Sequence, residues 1–408
     1  MQTTSTRLGV EAASPSITPS KPGGDGQRLL AVQALRAVAV ILVLFAHCID
    51  GAEDALGTPR QAHFFFWENF GSAGLDIFFV ISGFIVSLVA ARAANPRANA
   101  AQGQRGSKTG LFLIRRITRI FPLYWLLTAI FFFERIQHNP VTWRALFSLQ
   151  TLLLLPSMGF PQKAPLLSIG WSLLFELYFY LVLSTFLFLT PRAVVRNTTL
   201  FLGAMVVLGA LIGIRHPLLV VWMNPMVLEF VLGCLIGLLY VRLRNSGARV
   251  SSIAKWFALF GAVLLAATVF TGYGSASESS TILAGDDCWL RLGVWGFPSA
   301  LLVGGVIFWA PAMRSLLARL LVFLGDASYS IYLCGIPAQV IINYCWRRIW
   351  KPGPDVGVFF GVVVCAAVGV ACYMLIERPL MRFFHNWYKP NPFGESAQAG
   401  GRGSSVGS

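Results

Sequence analysis

The chain has 408 residues, of which 56% are hydrophobic and 12% charged, and a formal net charge of +15. Soluble domains carry about 25% charged residues, so this composition, with several apolar runs near the ~20 residues of a bilayer span, excludes an ordinary soluble domain and indicates a polytopic membrane protein. The basic excess is what loops retained on the cytoplasmic side require; with no zinc-finger spacing, RNA-binding signature or basic helix beside it, nucleic acid is not an expected partner.

Residues 1–28 are polar and rich in Ser, Thr, Pro and Gly, a composition expected to stay disordered. They contain no short apolar region followed by a small-residue cleavage site, so no removable signal peptide is expected. Ten apolar segments follow, with limits near 29–50, 70–91, 113–133, 168–189, 199–214, 218–241, 254–272, 290–310, 320–345 and 356–378; the fifth is the shortest. Residues 386–408, ending "GGRGSSVGS", form a second tail expected to be disordered. With a cytoplasmic N-terminus, inside segments carry 22 Lys and Arg against nine outside, which favours both termini in the cytoplasm. The expected fold is therefore all-α: about ten transmembrane helices around a central polar cavity. The connection 134–167 is then the largest external loop. Its run "LFSLQTLLLLP" is too short to span and suits an interfacial or re-entrant segment.

The first span reads "LRAVAVILVLFAH". Eleven helical steps separate Arg36 from His47, about three full turns, so both project from one face some 16 Å apart. A charge at membrane depth costs several kcal/mol unless it faces a polar interior. This points to a wet cavity, with Arg36 toward the cytoplasm and His47 in the outer half. A snorkelling arginine and a hydrogen-bonded structural histidine would give the same pattern. In "GSAGLDIFFVISGFIVS", Asp76 can hold the His47 imidazole in one tautomer, or form a salt bridge to Arg36 or another cation. Gly83 suits close helix packing.

In "FLIRRITRIFPLYW", Arg119 shares a face with Arg115 at i,i+4 and with Arg116 at i,i+3. Three guanidinium groups at a cytoplasmic mouth can grip phosphates in bidentate fashion; they can equally anchor the helix as inside-positive charge. "GWSLLFELYFY" places Glu176 inside an apolar run, with Ser172 and Tyr180 one turn to either side. Glu176 is either a catalytic carboxylate or the partner of an arginine. "FLGDASYSIYL" sets Ser328, Tyr329 and Tyr332 on one helix face. "MLIERPLMRFF" puts Glu377 and Arg378 at the inner end of the last span, where an ion pair would fix the terminus. The seven cysteines lie mostly in apolar segments, with Cys288 in a loop. They show neither a disulfide framework nor metal-ligand spacing, and read as small apolar residues. No metal is expected.

Six of these motifs, in this order, resemble the acyltransferase 3 family of multi-pass membrane acyltransferases over residues 29–385: the Arg36-x10-His47 segment, "GLDIFFVISGF", "RRITRIFPLYW", "GWSLLFELYFY", "GDASYSIYL" and "IERP". The resemblance implies transfer of an acyl group, usually acetyl, from cytoplasmic acyl-CoA to a carbohydrate hydroxyl, with no permanently bound cofactor. "VQALRAVAVILVLFAH" is most similar to the branch that acetylates bacterial exopolysaccharides. That branch implies a bacterial inner-membrane protein working beside polysaccharide assembly proteins. In these terms His47 is the general base, with Asp76 or Glu176 orienting it. Arg36 serves the pantetheine end or the oxyanion. Arg115, Arg116 and Arg119 hold the donor phosphates, and Tyr329, Tyr332 and Trp171 face the acceptor. An acyl-histidine intermediate is the competing route. Relatives often read S-Y-s-x-Y-L-x-H near the ninth span, and Gly335 stands here in place of that histidine.

Two other classes use similar residues. A proton-coupled transporter of a small molecule or saccharide also buries Arg, His, Asp and Glu. Such proteins often show internal repeats, whereas here no similarity links the halves and the charged motifs crowd into the first 180 residues. A non-catalytic membrane subunit of a polysaccharide machinery is the other, and the intact Arg36/His47 pair weighs against it.

Overall fold

The computed structural model describes residues 25–57, 67–93, 105–136, 143–159, 163–213, 216–246, 251–268 and 279–387. Most of both polar tails, 1–24 and 388–408, therefore lies outside the described residues, as does part of the connection 134–167. Among the described residues the chain is helical and carries no strand. The main helices are α1 (Asp25–Leu56), α2 (Trp67–Ala93), α3 (Arg105–Ile136), α4 (Gly170–Leu189), α5 (Val194–Ile212), α6 (Val227–Ser246), α7 (Ser251–Ala267), α8 (Phe297–Trp309), α9 (Leu316–Asp326), α10 (Ser328–Arg348), α11 (Pro354–Cys372) and α12 (Arg378–Trp387).

Among the described residues, eight helices are long and apolar enough to cross a membrane, nine if the bent pair α9–α10 is one span, and Ser252–Ala267 is a shorter apolar helix. These ten segments fall, in order, on the ten expected from the apolar runs. The protein is an all-α polytopic membrane protein. The first helix begins at Asp25, so the chain is already helical over the last residues of the polar N-terminal stretch. Arg28 explains this local order: its Nε donates to the Ile307 carbonyl at 3.3 Å and its guanidinium lies over the Tyr240 ring.

The most buried spans are α2, with 67% of its apolar window covered, and α1 and α4, with 61% each, against 22% for the span containing α5 and 28% for the last. The first two helices pack extensively on each other and form the hub, while α5 and the last span leave Leu211, Phe359 and Leu375 exposed. Close approach at the hub depends on small residues, as expected where no hydrophobic effect drives one helix onto another. A Cβ on Gly83 would run into the Phe230 carbonyl of α6, and one on Gly233 into the Val80 carbonyl of α2. Gly83 is a packing residue, as its place in "SGF" suggests.

Three irregularities shape the interior. α9 and α10 meet at Ala327 with a bend of 71°. A π turn, Leu292–Gly296, precedes α8, and a second, Tyr373–Glu377, joins α11 to α12. Two short helices, Trp143–Leu146 and Leu149–Leu153, lie in the connection between α3 and α4. Trp125 Nε1 donates to the Leu152 carbonyl at 2.9 Å, and Leu154, Leu167 and Ile169 are buried while Trp143 and Phe147 are exposed. The segment thus folds back onto α3 and the start of α4 without forming a spanning helix of its own.

Cys288 departs from the expected loop: it opens the helix Cys288–Arg291, which leads into α8, and is buried. Its sequence neighbours Asp286 and Asp287 disguise the helix start. Among the described residues no group of His, Cys, Asp and Glu is placed to hold a metal ion.

Candidate functional site

α1, α2, α3, α4, the α9–α10 bend and α12 enclose a cavity of about 900 Å³. Five arginines line it, Arg36, Arg116, Arg119, Arg378 and Arg382, against two carboxylates, Glu176 and Asp326. Phe78, Leu173 and Ile120 supply apolar wall, and Ser82, Ser172, Ser328, Tyr180, Tyr329, Tyr332 and Tyr373 supply hydroxyls. Such a space suits a ligand with an anionic, planar-oxygen end and a less polar extension, because guanidinium forks match phosphate geometry and an excess of one sign attracts the other.

Several of the polar side chains are held by neighbours. Arg36 Nη1 donates to Gln33 Oε1 at 2.8 Å, and Gln33 Nε2 donates to Asp326 Oδ1 at 2.6 Å. The bend at Ala327 places Asp326 there. Arg116 lies over the rings of Phe112 and Tyr180, at 5.4 and 5.5 Å. Glu176 Oε1 accepts from Ser82 Oγ at 3.3 Å and from the Tyr180 hydroxyl one turn away. Tyr329 donates to the Ile120 carbonyl at 2.7 Å, tying α10 to α3. Tyr332 donates to the Ile169 carbonyl at 3.2 Å and shares a 2.7 Å hydroxyl contact with Ser172. Ser328 Oγ is buried and without a hydrogen-bond partner.

Part of the expected constellation lies elsewhere. His47 is half-buried on α1 and is not in the cavity wall, where the deepest α1 residue is Arg36. Helix rise separates the two by about 16 Å. α10 runs beside this stretch of α1: a Cβ on Gly335 would stand 2.9 Å from Leu44 Cδ2, and Cys48 Sγ donates to Gln339 Oε1 at 3.0 Å. Tyr332, one turn before Gly335, is therefore level with the gap between Arg36 and His47.

Asp76 does not orient His47. Both its carboxylate oxygens are taken by Arg291, Oδ2 at 2.7 Å from Nη2 and Oδ1 at 3.2 Å from Nε. Of the alternatives open from the sequence, the salt bridge is the one formed, with a cation outside every motif considered. Arg115 is exposed and outside the cavity wall, because one helical step turns it away from Arg116. Trp171 is buried edge-on to Phe175, ring centroids 6.1 Å apart, and does not reach the cavity. Glu377 turns inward to accept from Ser330 Oγ, while Arg378 faces the cavity, so the two do not close on each other as a terminal ion pair.

An acyltransferase domain family matches residues 29–377, most of the chain. The chain belongs to the acyltransferase 3 family. The exopolysaccharide production protein ExoZ of Rhizobium meliloti (strain 1021) is 31% identical over 319 residues, 76% of this chain and 90% of that protein. No solved structure matches the chain.

Within this acyltransferase 3 chain, sequence reasoning gave Arg378 only a terminal ion pair and passed over Arg382 and Arg291. The first two carried a readable signal. They stand at i,i+4 just past the last apolar run, which puts both on one helix face. Arg291 stood alone in "WLRLGVWGF", a lone intramembrane cation whose partner was 215 residues away. The Gly335 position is also explained: Leu44 fills the space into which a side chain at 335 would project.

Proposed function

We propose that this protein is a membrane O-acyltransferase that moves an acetyl or other short acyl group from cytoplasmic acyl-CoA to a carbohydrate hydroxyl. The acceptor is an exopolysaccharide or its lipid-linked precursor, and the site of action is a bacterial inner membrane with both termini in the cytoplasm. The observation that carries this reading is a cavity in which five arginines outnumber two acids, in a chain of an acyltransferase family.

In this reading Arg116 and Arg119 hold the donor phosphates from α3, and Arg378 and Arg382 hold them from α12. The pantetheine arm lies along the apolar wall and brings the thioester toward Arg36. His47 takes the proton of an acceptor hydroxyl that approaches from the outer side. A neutral imidazole is suited to that role near neutral pH. The hydroxyl oxygen then attacks the thioester carbon. Arg36 or a tyrosine hydroxyl stabilises the oxyanion, the carbon–sulfur bond breaks, and the thiol leaves with a proton. Tyr332 and Ser172 stand between Arg36 and His47, so transfer requires that this floor open. Similarity to an exopolysaccharide production protein supports the acceptor class.

The test is the O-acetyl content of surface and secreted polysaccharide, by proton NMR, in a deletion strain carrying wild type or His47→Ala. Signal lost on deletion, restored by wild type and absent with the variant is the expected result. Acetylation unchanged by the deletion overturns the reading.

A further inference from the structure

The Arg36 guanidinium rides on a flexible stem, and such a stem keeps one geometry only where a neighbour fixes it. That neighbour is Gln33, one turn back on the same face of α1. Gln33 Oε1 accepts from Arg36 Nη1 at 2.8 Å, and Gln33 Nε2 donates to Asp326 Oδ1 at 2.6 Å. All three side chains line the cavity. The contacts thus run from the last residue of α9, through an amide, to the arginine of α1.

The amide gives this relay a direction. A guanidinium only donates and a carboxylate only accepts, while an amide does one at each end. Gln33 therefore satisfies both neighbours in a single orientation. Turned over, its carbonyl would meet the carboxylate and its NH2 group the guanidinium, two repulsions in place of two hydrogen bonds. Asp326 in this way selects the end of the amide that Arg36 meets.

Backbone packing fixes the spacing. Gly325 is buried, and a Cβ there would run into the Gln33 carbonyl, so α9 rests on the α1 main chain at that residue. The 71° bend at Ala327 then turns the chain into α10, whose Tyr329 and Tyr332 line the same cavity. One bend therefore sets both the α10 tyrosines and the acid that orients Gln33.

We propose that Gln33 and Asp326 are positioning residues for acyl transfer: Asp326 orients the Gln33 amide, and the amide holds the Arg36 guanidinium where the thioester is brought. This role rests on the reading of the cavity as the acyl-transfer site. It divides the cations of the cavity. Arg116, Arg119, Arg378 and Arg382 serve the donor phosphates, and Arg36, held by the relay, serves the reacting end. Loss of the relay lowers the maximal rate and leaves donor affinity intact.

Inverted membrane vesicles of the deletion strain, carrying the full-length chain at matched expression, measure this. Labelled acetyl-CoA is the varied donor and the vesicles' own saccharide the acceptor. Gln33→Met keeps side-chain length and removes the amide; Asp326→Ala removes the acid. Each is expected to lower the maximal rate about tenfold or more, the rate equivalent of one hydrogen bond to a charged group, with the KM for acetyl-CoA unchanged. The double variant is expected to be no slower than Gln33→Met, because Asp326 acts through that amide. Should Asp326→Ala fail to accumulate, Asp326→Asn replaces it. Asparagine keeps an acceptor but adds a donor, so the amide loses its single orientation and the rate should fall below wild type. Arg36→Ala is run alongside. Wild-type vesicles without donor-dependent labelling, or Arg36→Ala at the wild-type rate, overturn the acyl-transfer role of the cavity. Arg36→Ala inactive beside Gln33→Met or either Asp326 variant at the wild-type maximal rate overturns the relay alone. Losses that multiply in the double variant, or that fall on KM only, overturn it as well.

Discussion

The cavity and the Asp76–Arg291 pair both hold arginine and carboxylate among the spanning helices, and they treat them in opposite ways. In the cavity, five arginines face about 900 Å³ of space with two acids among them. The guanidinium groups of Arg36 and Arg116 are steadied by an amide and by aromatic rings. In the pair, Arg291 is closed onto a carboxylate, a carbonyl and a ring. The difference is stoichiometry and volume. An excess of cations around a void is a place for an anionic ligand. A cation closed onto an acid is an internal fastener, and breaking such a pair strands a charge that water cannot reach.

Removing Arg291 should have the largest effect on the protein itself. Arg291→Ala leaves the buried Asp76 without its counter-ion, which should destabilise by about 3–5 kcal/mol, read as loss of folded protein in detergent-extracted membranes. Wild-type accumulation of Arg291→Ala would mean that the pair is not a fastener. On the cavity side the protein should fold and the chemistry fail. His47→Ala removes the proposed base, for which general base catalysis typically supplies about a hundred- to ten-thousandfold, and transfer rate at matched expression measures it.

Smaller effects sharpen the same contrast. Arg119→Ala and Arg382→Ala should each weaken donor binding, since a lost hydrogen bond to a charged group is worth about 1.5–3 kcal/mol, or tenfold and more in the KM for acyl-CoA. Equal loss from α3 and α12 would mark a two-sided clamp; loss from α3 alone would return Arg382 to the role of a membrane anchor. Gly83→Ala tests the hub: its methyl would meet the Phe230 carbonyl, and overpacking of this kind costs about 1–3 kcal/mol, visible as a lower melting transition. Arg115→Ala should do least, with the donor KM unchanged, because its side chain lies outside the cavity wall.

Much of the fold was legible one-dimensionally. A bilayer core sets the length of a span, so apolar runs mark helices before any tertiary contact is known; this is why ten segments were found where ten were expected, and why Arg36, Arg116, Arg119, Glu176 and the Ser328/Tyr329/Tyr332 face stood out as polar groups out of place. Helical period also placed each of them on a face. What could not be read was which face met which. Asp76 could have paired with any cation, and the one it meets is 215 residues along the chain. Arg115 and Arg116 differ by one helical step, and only the packing of α3 against α4 separates the exposed one from the one over Tyr180. Trp171 and Ser172 divide the same way. Sequence spacing is a local quantity, while a cavity wall is made by helices that meet far apart in the chain; the first is dictated by the bilayer and the second by how side-chain volumes and charges close on one another.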